Sequence, residues 1–305
     1  MVWDADVLAR VRQLHLQARV LTDTLRMGEH RSVRTGQAVE FADYQEYRPG
    51  MDVRRIDWRV WGRSDRLMVR RFEVETELPC TVILDLSGDL GTGGRGGGRR
   101  PDLGNGKAGF AITLAATLLY FLHRHGEPVG LELVGGDQVR WPSLPVRGGR
   151  GHLQRAFVDL ATAVPGGRAD LEPTLIRVGG RTRRRSFVAV ISDGMEDPAR
   201  WLPAIGALAR RKVELVFVHL YDPREWRLEL PSSVRLYSPE GGADLALDPR
   251  AIAAEFRGVV EGYVAEVKSG ITRWGGRYVD GACDRRLDDT LRDVVVGARA
   301  AGRRA

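Results

Sequence analysis

Apolar residues recur along this chain with two different periods, and the change between them divides it. From residue 4 to 26, Val7, Val11, Leu14, Val20, Leu21 and Leu25 fall at helical spacing, which predicts a leading amphipathic helix. Between Gly28 and Glu77 that period is lost. Gly28, Gly36, Pro49, Gly50 and Gly62 punctuate short segments dense in aromatics and in both charge signs, a pattern of loops and short strands. From Pro79 onward, continuous apolar runs alternate with helical patterns. Residues 81–86 and 186–192 are runs apolar on both faces, and each meets a carboxylate at its end, Asp85 and Asp193. Residues 128–134 and 213–220 are similar runs, residues 139–141 are a candidate hairpin partner, and a short strand is expected near Tyr278. Helices are predicted over 107–124, 152–164, 171–178, 198–211, 249–268 and 287–299. Strands buried on both faces and separated by helices imply a parallel sheet covered on both sides. The expected fold is α/β, a mostly parallel doubly wound sheet over residues 79–305. A helix over 1–27 and a β-rich charged and aromatic appendage over 28–78 precede it.

Composition narrows the functions that fit. The chain is 43% hydrophobic and 29% charged, values that support a packed core. Its net charge of +7 admits an acidic partner, so binding of nucleic acid or another polyanion through an arginine-rich surface is the alternative function. Only Lys107, Lys212 and Lys268 among the 47 basic residues are lysines, and the arginines spread along the whole chain without forming a stripe, so nucleic acid is not the expected partner. Two distant cysteines, Cys80 and Cys283, make neither a zinc framework nor a disulfide scaffold, which suits a reducing compartment. His123 and His125 stand at a predicted helix end, where a solvated terminus explains them. The start of the chain is acidic where a signal peptide needs positive charge. The longest apolar stretch, 108–122, is about fifteen residues against the ~20 needed to cross a bilayer. The expected location is therefore cytoplasmic, with any membrane contact peripheral at the inner face.

Ligands of open parallel sheets collect beyond the carboxyl ends of the strands, at a topological switch point. Asp85, Ser87 and Asp89 recur at every second residue after the first apolar run, so their oxygens can converge. Asp193 follows a later run. Hard oxygen donors of this kind suit Mg²⁺. The Asp85-x-Ser87-x-Asp89 turn with Ile191-Ser192-Asp193-Gly194 resembles the metal-ion-dependent adhesion site of von Willebrand factor A domains. That resemblance implies a Mg²⁺ held by Asp85, Ser87, Asp89 and Asp193, with one position open to a carboxylate of a partner protein. The sequence departs from the pattern at Asp89, where a serine is usual, and at Ala169, where the second loop normally offers threonine. Asp170 either compensates for that loss or caps the next helix.

The segment from Gly28 to Arg59 is more specific. Tyr44-x-x-Tyr47-x-Pro49-Gly50-Met51-Asp52-x-Arg54-x-Ile56-Asp57-Trp58 resembles the signature of the bacterial family called domain of unknown function 58, and similarity continues through Arg63, Leu67, Val69, Arg71 and Glu73. It resumes at Asp222-Pro223-Arg224-Glu225 and near Tyr278. The resemblance implies a von Willebrand factor A (Rossmann-like) core working beside an AAA+ ATPase of the MoxR type, in chaperone-like maturation or remodelling. The acidic and basic residues of this segment form either an ionic clamp that docks the appendage or a partner surface. Arginine and tryptophan are enriched at interface hot spots, which makes Trp58, Arg59 and Trp61 the candidate partner-binding residues.

Rival chemistries find less support. Gly91-Thr92-Gly93-Gly94-Arg95-Gly96 fits a dinucleotide-binding pattern, but it does not open a helix directly after a strand. An aspartyl phosphatase would carry a second carboxylate where Ser87 stands. No histidine is close in sequence to a candidate nucleophile. The arginine run at 181–185 reads as a solvated loop before a buried strand. The expected function is non-catalytic protein binding, with no enzyme activity.

Overall fold

The computed structural model describes residues 5–29, 41–49, 51, 53, 56–72, 77–91, 100–103, 105–135, 143–228, 234–236 and 245–302. The chain divides into two units, Met1–Arg26 with Leu78–Ala305, and Met27–Glu77. The first unit opens with α1 (Ala5–Glu29), which buries Val7, Val11, Leu14, Ala18 and Leu25 in the main core. The leading helix, expected to stand apart as residues 1–27, therefore belongs to the sheet domain.

The second unit pairs β1 (Phe41–Glu46) with β2 (Met68–Phe72) as an antiparallel ladder with an irregularity between Ala42 and Tyr44. Between them lies a helix that the sequence pattern did not suggest, α2 (Trp58–Ser64). The Asp57 carboxylate starts it by accepting from the Arg59 N–H at 3.0 Å, and Asp65 ends it in the left-handed region at φ 55°. Trp58 is 60% exposed and Trp61 45%, their rings set edge to face at 6.1 Å, and Arg59 is exposed beside them. The aromatic pair is thus open to solvent.

The sheet of the first unit is built from β3 (Cys80–Asp85), β4 (Val129–Val134), β5 (Ser143–Arg147), β6 (Phe187–Ser192), β7 (Glu214–Tyr221) and β10 (Arg277–Ala282), in the order β10-β7-β6-β3-β4-β5. All neighbours are parallel except β4 and β5. The antiparallel edge strand is the hairpin partner expected at 139–141, displaced to Ser143–Arg147; residues 139–141 lie outside the described residues. Helices α3 (Gly106–Arg124), α4 (Arg150–Thr162), α5 (Leu171–Arg181), α6 (Pro198–Arg210), α8 (Pro249–Arg273) and α9 (Leu287–Gly302) cover it, with a short α7 (Pro223–Trp226) after β7. A small hairpin of β8 (Val234–Leu236) and β9 (Leu245–Leu247) precedes α8. This hairpin and α7 were not foreseen.

Alternation along the strands creates one core on each face. Cys80, Val82 and Leu84 of β3 join α1, α3, α4 and α9, while Ile83 joins Val188, Val190 and Phe217 beneath α5, α6 and α8. Trp201, fully buried, stacks on Phe217 at 5.2 Å. This is the doubly wound, von Willebrand factor A-like arrangement: strand order reverses at β3 and β6, whose carboxyl ends are where open parallel sheets hold their ligand crevice.

Helix direction sorts the charges. Asp197, Asp222 and Asp248 each precede a proline at the first helical position and accept a backbone N–H at the starts of α6, α7 and α8. Arg124, Arg181, Arg210 and Arg273 occupy the last turns of α3, α5, α6 and α8, where a cation complements the helix dipole. Helix α3 is long and apolar enough to span a bilayer by length and composition, more so than its pattern suggested, yet 89% of its apolar window is buried inside the molecule.

The docking of α1 is open to a direct test. Leu14→Ala is expected to cost ~2–5 kcal/mol in urea unfolding. Leu16→Ala, at a position 62% exposed, is expected to stay within ~0.5 kcal/mol of the parent. Equal effects would show that the helix does not pack as described.

Candidate functional site

Strands β3 and β6 run side by side with Leu84 opposite Ile191, so Asp85 and Asp193 emerge together at the switch point. Asp85 is 1% exposed and Asp193 is also buried. The Ser192 hydroxyl donates to Asp85 Oδ2 at 2.6 Å and accepts from the Gly194 N–H at 2.9 Å. The Ser87 N–H donates to Asp85 Oδ1 at 2.8 Å, and the Ser87 side chain also hydrogen-bonds Asp85. Asp193 Oδ1 accepts from the Met195 N–H at 3.3 Å, whereas Asp193 Oδ2 is buried with no hydrogen-bond partner.

Burial and neighbouring charge act on the two aspartates together. Burial raises the Asp85 carboxyl above its ordinary range, against the hydrogen bonds from Ser192 and Ser87, and the charge of Asp89 adds to the rise. Asp193 is pushed up to about 8, first by burial and then by the charge of Asp85, with a smaller push from Asp89. Lys107 and the Met195 N–H oppose that rise.

Neighbouring loops hold the turn after β3. Gly166 N–H donates to Leu86 O, and Gly88 N–H to Gly167 O, both at 2.9 Å. Gly135, at φ +73°, backs the same turn so closely that an added Cβ would stand 2.6 Å from the Ser87 nitrogen. Ala169 packs against the second core. Asp170 stands at the start of α5 but makes no capping hydrogen bond; Glu196 accepts from the Leu171 N–H at 2.8 Å instead, and Asp170 faces Arg200 at 3.7 Å. The capping role anticipated for Asp170 thus falls to Glu196.

Three residues beside the site were missed. His219, far away in sequence, is buried on β7 with Nε2 2.9 Å from Asp193 O and Nδ1 2.7 Å from the Tyr278 hydroxyl. The carbonyl is only an acceptor, so Nε2 carries the proton and Nδ1 accepts from Tyr278. Burial lowers its pKa to about 4, leaving a neutral ring with both nitrogens engaged. A histidine therefore does lie next to the acidic turn, contrary to the expectation from spacing. The Tyr263 hydroxyl donates to Gly194 O, so the turn after β6 is clamped from β7 and from α8. Lys107, in the first turn of α3, is buried with Nζ 2.7 Å from Glu225 Oε2 on α7. The next residue, Trp226, stacks on Tyr221 at 3.6 Å and lines an open groove of about 610 Å³ with Arg257, Glu261, Asp280 and Arg285.

Among the described residues no group of three or more His, Cys, Asp and Glu side chains forms a ready metal cage. A cation here would rely on Asp85 and Asp193, serine hydroxyls and water. That donor set fits Mg²⁺, which retains several waters, and Asp193 Oδ2 is an acceptor still lacking a donor.

Asp193 takes up a proton more readily folded than unfolded. Its contribution to stability is complete below its ordinary value of 3.8 and is lost as the pH rises through about 8. In chelator, Asp193→Asn is therefore expected to raise the melting temperature relative to the parent more at pH 9 than at pH 5. A pH-independent difference would contradict this.

Known proteins are similar to this chain in sequence or fold. The uncharacterized protein Rv1480 of Mycobacterium tuberculosis is 28% identical over 300 residues, covering 96% of this chain and 89% of that protein. Among solved structures, the conserved hypothetical protein BatB from Bacteroides thetaiotaomicron is similar at a TM-score of 0.47 and 12% identity, over 73% of this chain and 99% of that one. The SpRpn10 VWA domain is similar at 0.42 and 11% identity, over 72% of this chain and 94% of that one. The model of the family described as protein of unknown function DUF58 matches residues 43–262, most of the chain, and the protein belongs to that family.

Proposed function

We propose that the chain is a non-catalytic protein-binding adaptor whose carboxyl-edge site holds Mg²⁺ and offers it to a carboxylate of a partner protein. The observation that carries this reading is the pair of buried carboxylates at the switch point, with Asp193 Oδ2 unpartnered. Asp85 and Asp193 supply the charge, Ser87 a hydroxyl, and Asp89 a further carboxylate at the rim. When bound, Mg²⁺ supplies a hard Lewis-acid position that a partner's carboxylate oxygen can complete. His219 and Tyr263 hold the backbone of the Asp193 turn, so the carboxylate keeps its aim.

A binding role agrees with the chemistry of the neighbours. The Ser192 and Ser87 hydroxyls are engaged by Asp85, and the ring nitrogens of His219 by a carbonyl and a tyrosine, which leaves neither serine hydrogen-bonded to that histidine. The partner we favour is an AAA+ ATPase of the MoxR type in the cytoplasm, in chaperone-like maturation or remodelling. The exposed Trp58, Arg59 and Trp61 would form a second contact. Polyanion binding is the weaker reading, because the arginines spread along the whole chain without forming a stripe.

Calorimetric titration is expected to show Mg²⁺ binding to the parent and none to Asp85→Ala; indistinguishable traces would remove the metal. A protonated Asp193 cannot serve the cation, so apparent affinity should weaken as the pH falls below about 8. Tagged protein carrying Trp58→Ala with Trp61→Ala should recover at least ~10-fold less of the ATPase from its native cell, the loss of one hot-spot cluster. Unchanged recovery would place the contact elsewhere.

A further inference from the structure

The arginines are scattered in sequence, but the topology gathers one group of them. Strands β6, β7 and β10 are parallel neighbours, so the connections that enter them, residues 179–186, 209–214 and 272–278, meet at the amino edge of the sheet. These connections carry nine basic residues and one carboxylate, that of Glu214. Side-chain contacts stitch them together. Arg211 donates to Gly179 O and, at 3.0 Å, to Thr182 O, and the Arg210 guanidinium lies over the Trp274 ring at 5.7 Å.

Structural duties account for part of this charge. Arg181, Arg210 and Arg273 complement helix dipoles, Arg211 ties two of the turns, and Arg277 is half-buried in β10 near Glu214. Arg183, Arg184, Arg185 and Lys212 remain, and all four are exposed. Two of them occupy costly backbone. Arg185 and Lys212 each stand two residues before a strand, at φ 59°, a left-handed conformation in which glycine or asparagine is less strained. The same excursion thus precedes two adjacent strands, and each time it carries an exposed cation where glycine would fit more easily. Trp274, 38% exposed, adds an amphipathic ring to the cluster.

We propose that this amino edge is a docking surface for an anionic lipid bilayer, with Arg183, Arg184, Arg185 and Lys212 facing the headgroups. A cluster of about four to eight basic residues suffices to hold a protein at such a surface, and tryptophan settles at headgroup level. Guanidinium groups can each give two N–H donors to a lipid phosphate. The cations ride on short turns and form a compact cluster. That suits a flat sheet of charge, whereas a duplex is read by a helix or ribbon that enters its groove. Strands β6 and β10 are six residues long, so the cluster lies roughly 20 Å from the carboxyl edge. A bilayer on the amino edge leaves Asp85 and Asp193 on the far side of the sheet, and its docking does not depend on metal there.

Sedimentation of the full chain with lipid vesicles tests this. Vesicles of phosphatidylglycerol and phosphatidylcholine in equal parts should bring the protein down at low salt, and vesicles of phosphatidylcholine alone should not. The double variant Arg185→Gly, Lys212→Gly removes two charges and relieves the left-handed strain. It should keep its melting temperature and lose at least ~10-fold in partition onto the anionic vesicles. Arg12→Gln with Arg250→Gln, which removes two exposed charges from other parts of the surface, should stay within about 2-fold of the parent. No binding of the parent to anionic vesicles, or equal losses in the two variants, would overturn the proposal. So would tighter binding to a short DNA duplex that the glycine variant abolishes, because the surface would then belong to nucleic acid. If the glycine variant fails to fold, Arg185→Asn with Lys212→Asn takes its place.

Discussion

Two carboxylates fixed at the ends of adjacent parallel strands are the constraint around which the carboxyl edge is organised. The β3–β6 register sets their proximity, with Leu84 opposite Ile191 just before the two turns. Like charges at low dielectric repel strongly, and burial alone already disfavours ionisation. Ser192 and the backbone N–H groups of Ser87 and Met195 direct positive ends of bonds at this pair. What stays unsatisfied is one oxygen of Asp193. A proton or a small cation would complete the site, and the competition between them gives it chemistry.

The surrounding fold follows from chain direction. Each parallel strand delivers its helix to the carboxyl edge N-terminus first, so aspartate caps gather there and arginines gather at the opposite edge. This polarity accounts for Arg124, Arg181, Arg210 and Arg273 without reference to a polyanion. It also isolates the exception, because Lys107 is a cation at the edge where helix dipoles favour anions.

The alternation of strands and helices was readable because apolar runs such as 187–191 are short, rich in β-branched residues and stopped by Asp193-Gly194, which separates them from a buried helix. Asp85 and Asp193 were readable for the same reason, since each marks the end of such a run. Short elements were not. Trp58–Ser64 is a single helical stretch with no apolar stripe, fixed by the Asp57 cap, and α7 is a four-residue turn begun by Asp222 and Pro223. His219 and Lys107 were invisible as site residues because only the order of β7, β6 and β3 carries them to the acidic turn. Nothing in their sequence neighbours signals that placement, although a lysine in the first turn of a helix without acids was an available anomaly. The capping alternative for Asp170 failed for a related reason: Glu196, 25 positions after Leu171, accepts from the Leu171 N–H instead.

Crystals soaked in Mn²⁺, a close substitute for Mg²⁺ with a strong anomalous signal, test the central claim most directly. The account predicts one anomalous peak in the crevice, in coordination contact with Asp193 Oδ2 and flanked by Asp85 and Ser87. Full-occupancy peaks elsewhere, with the crevice empty and Asp193 Oδ2 still without a partner, would contradict it.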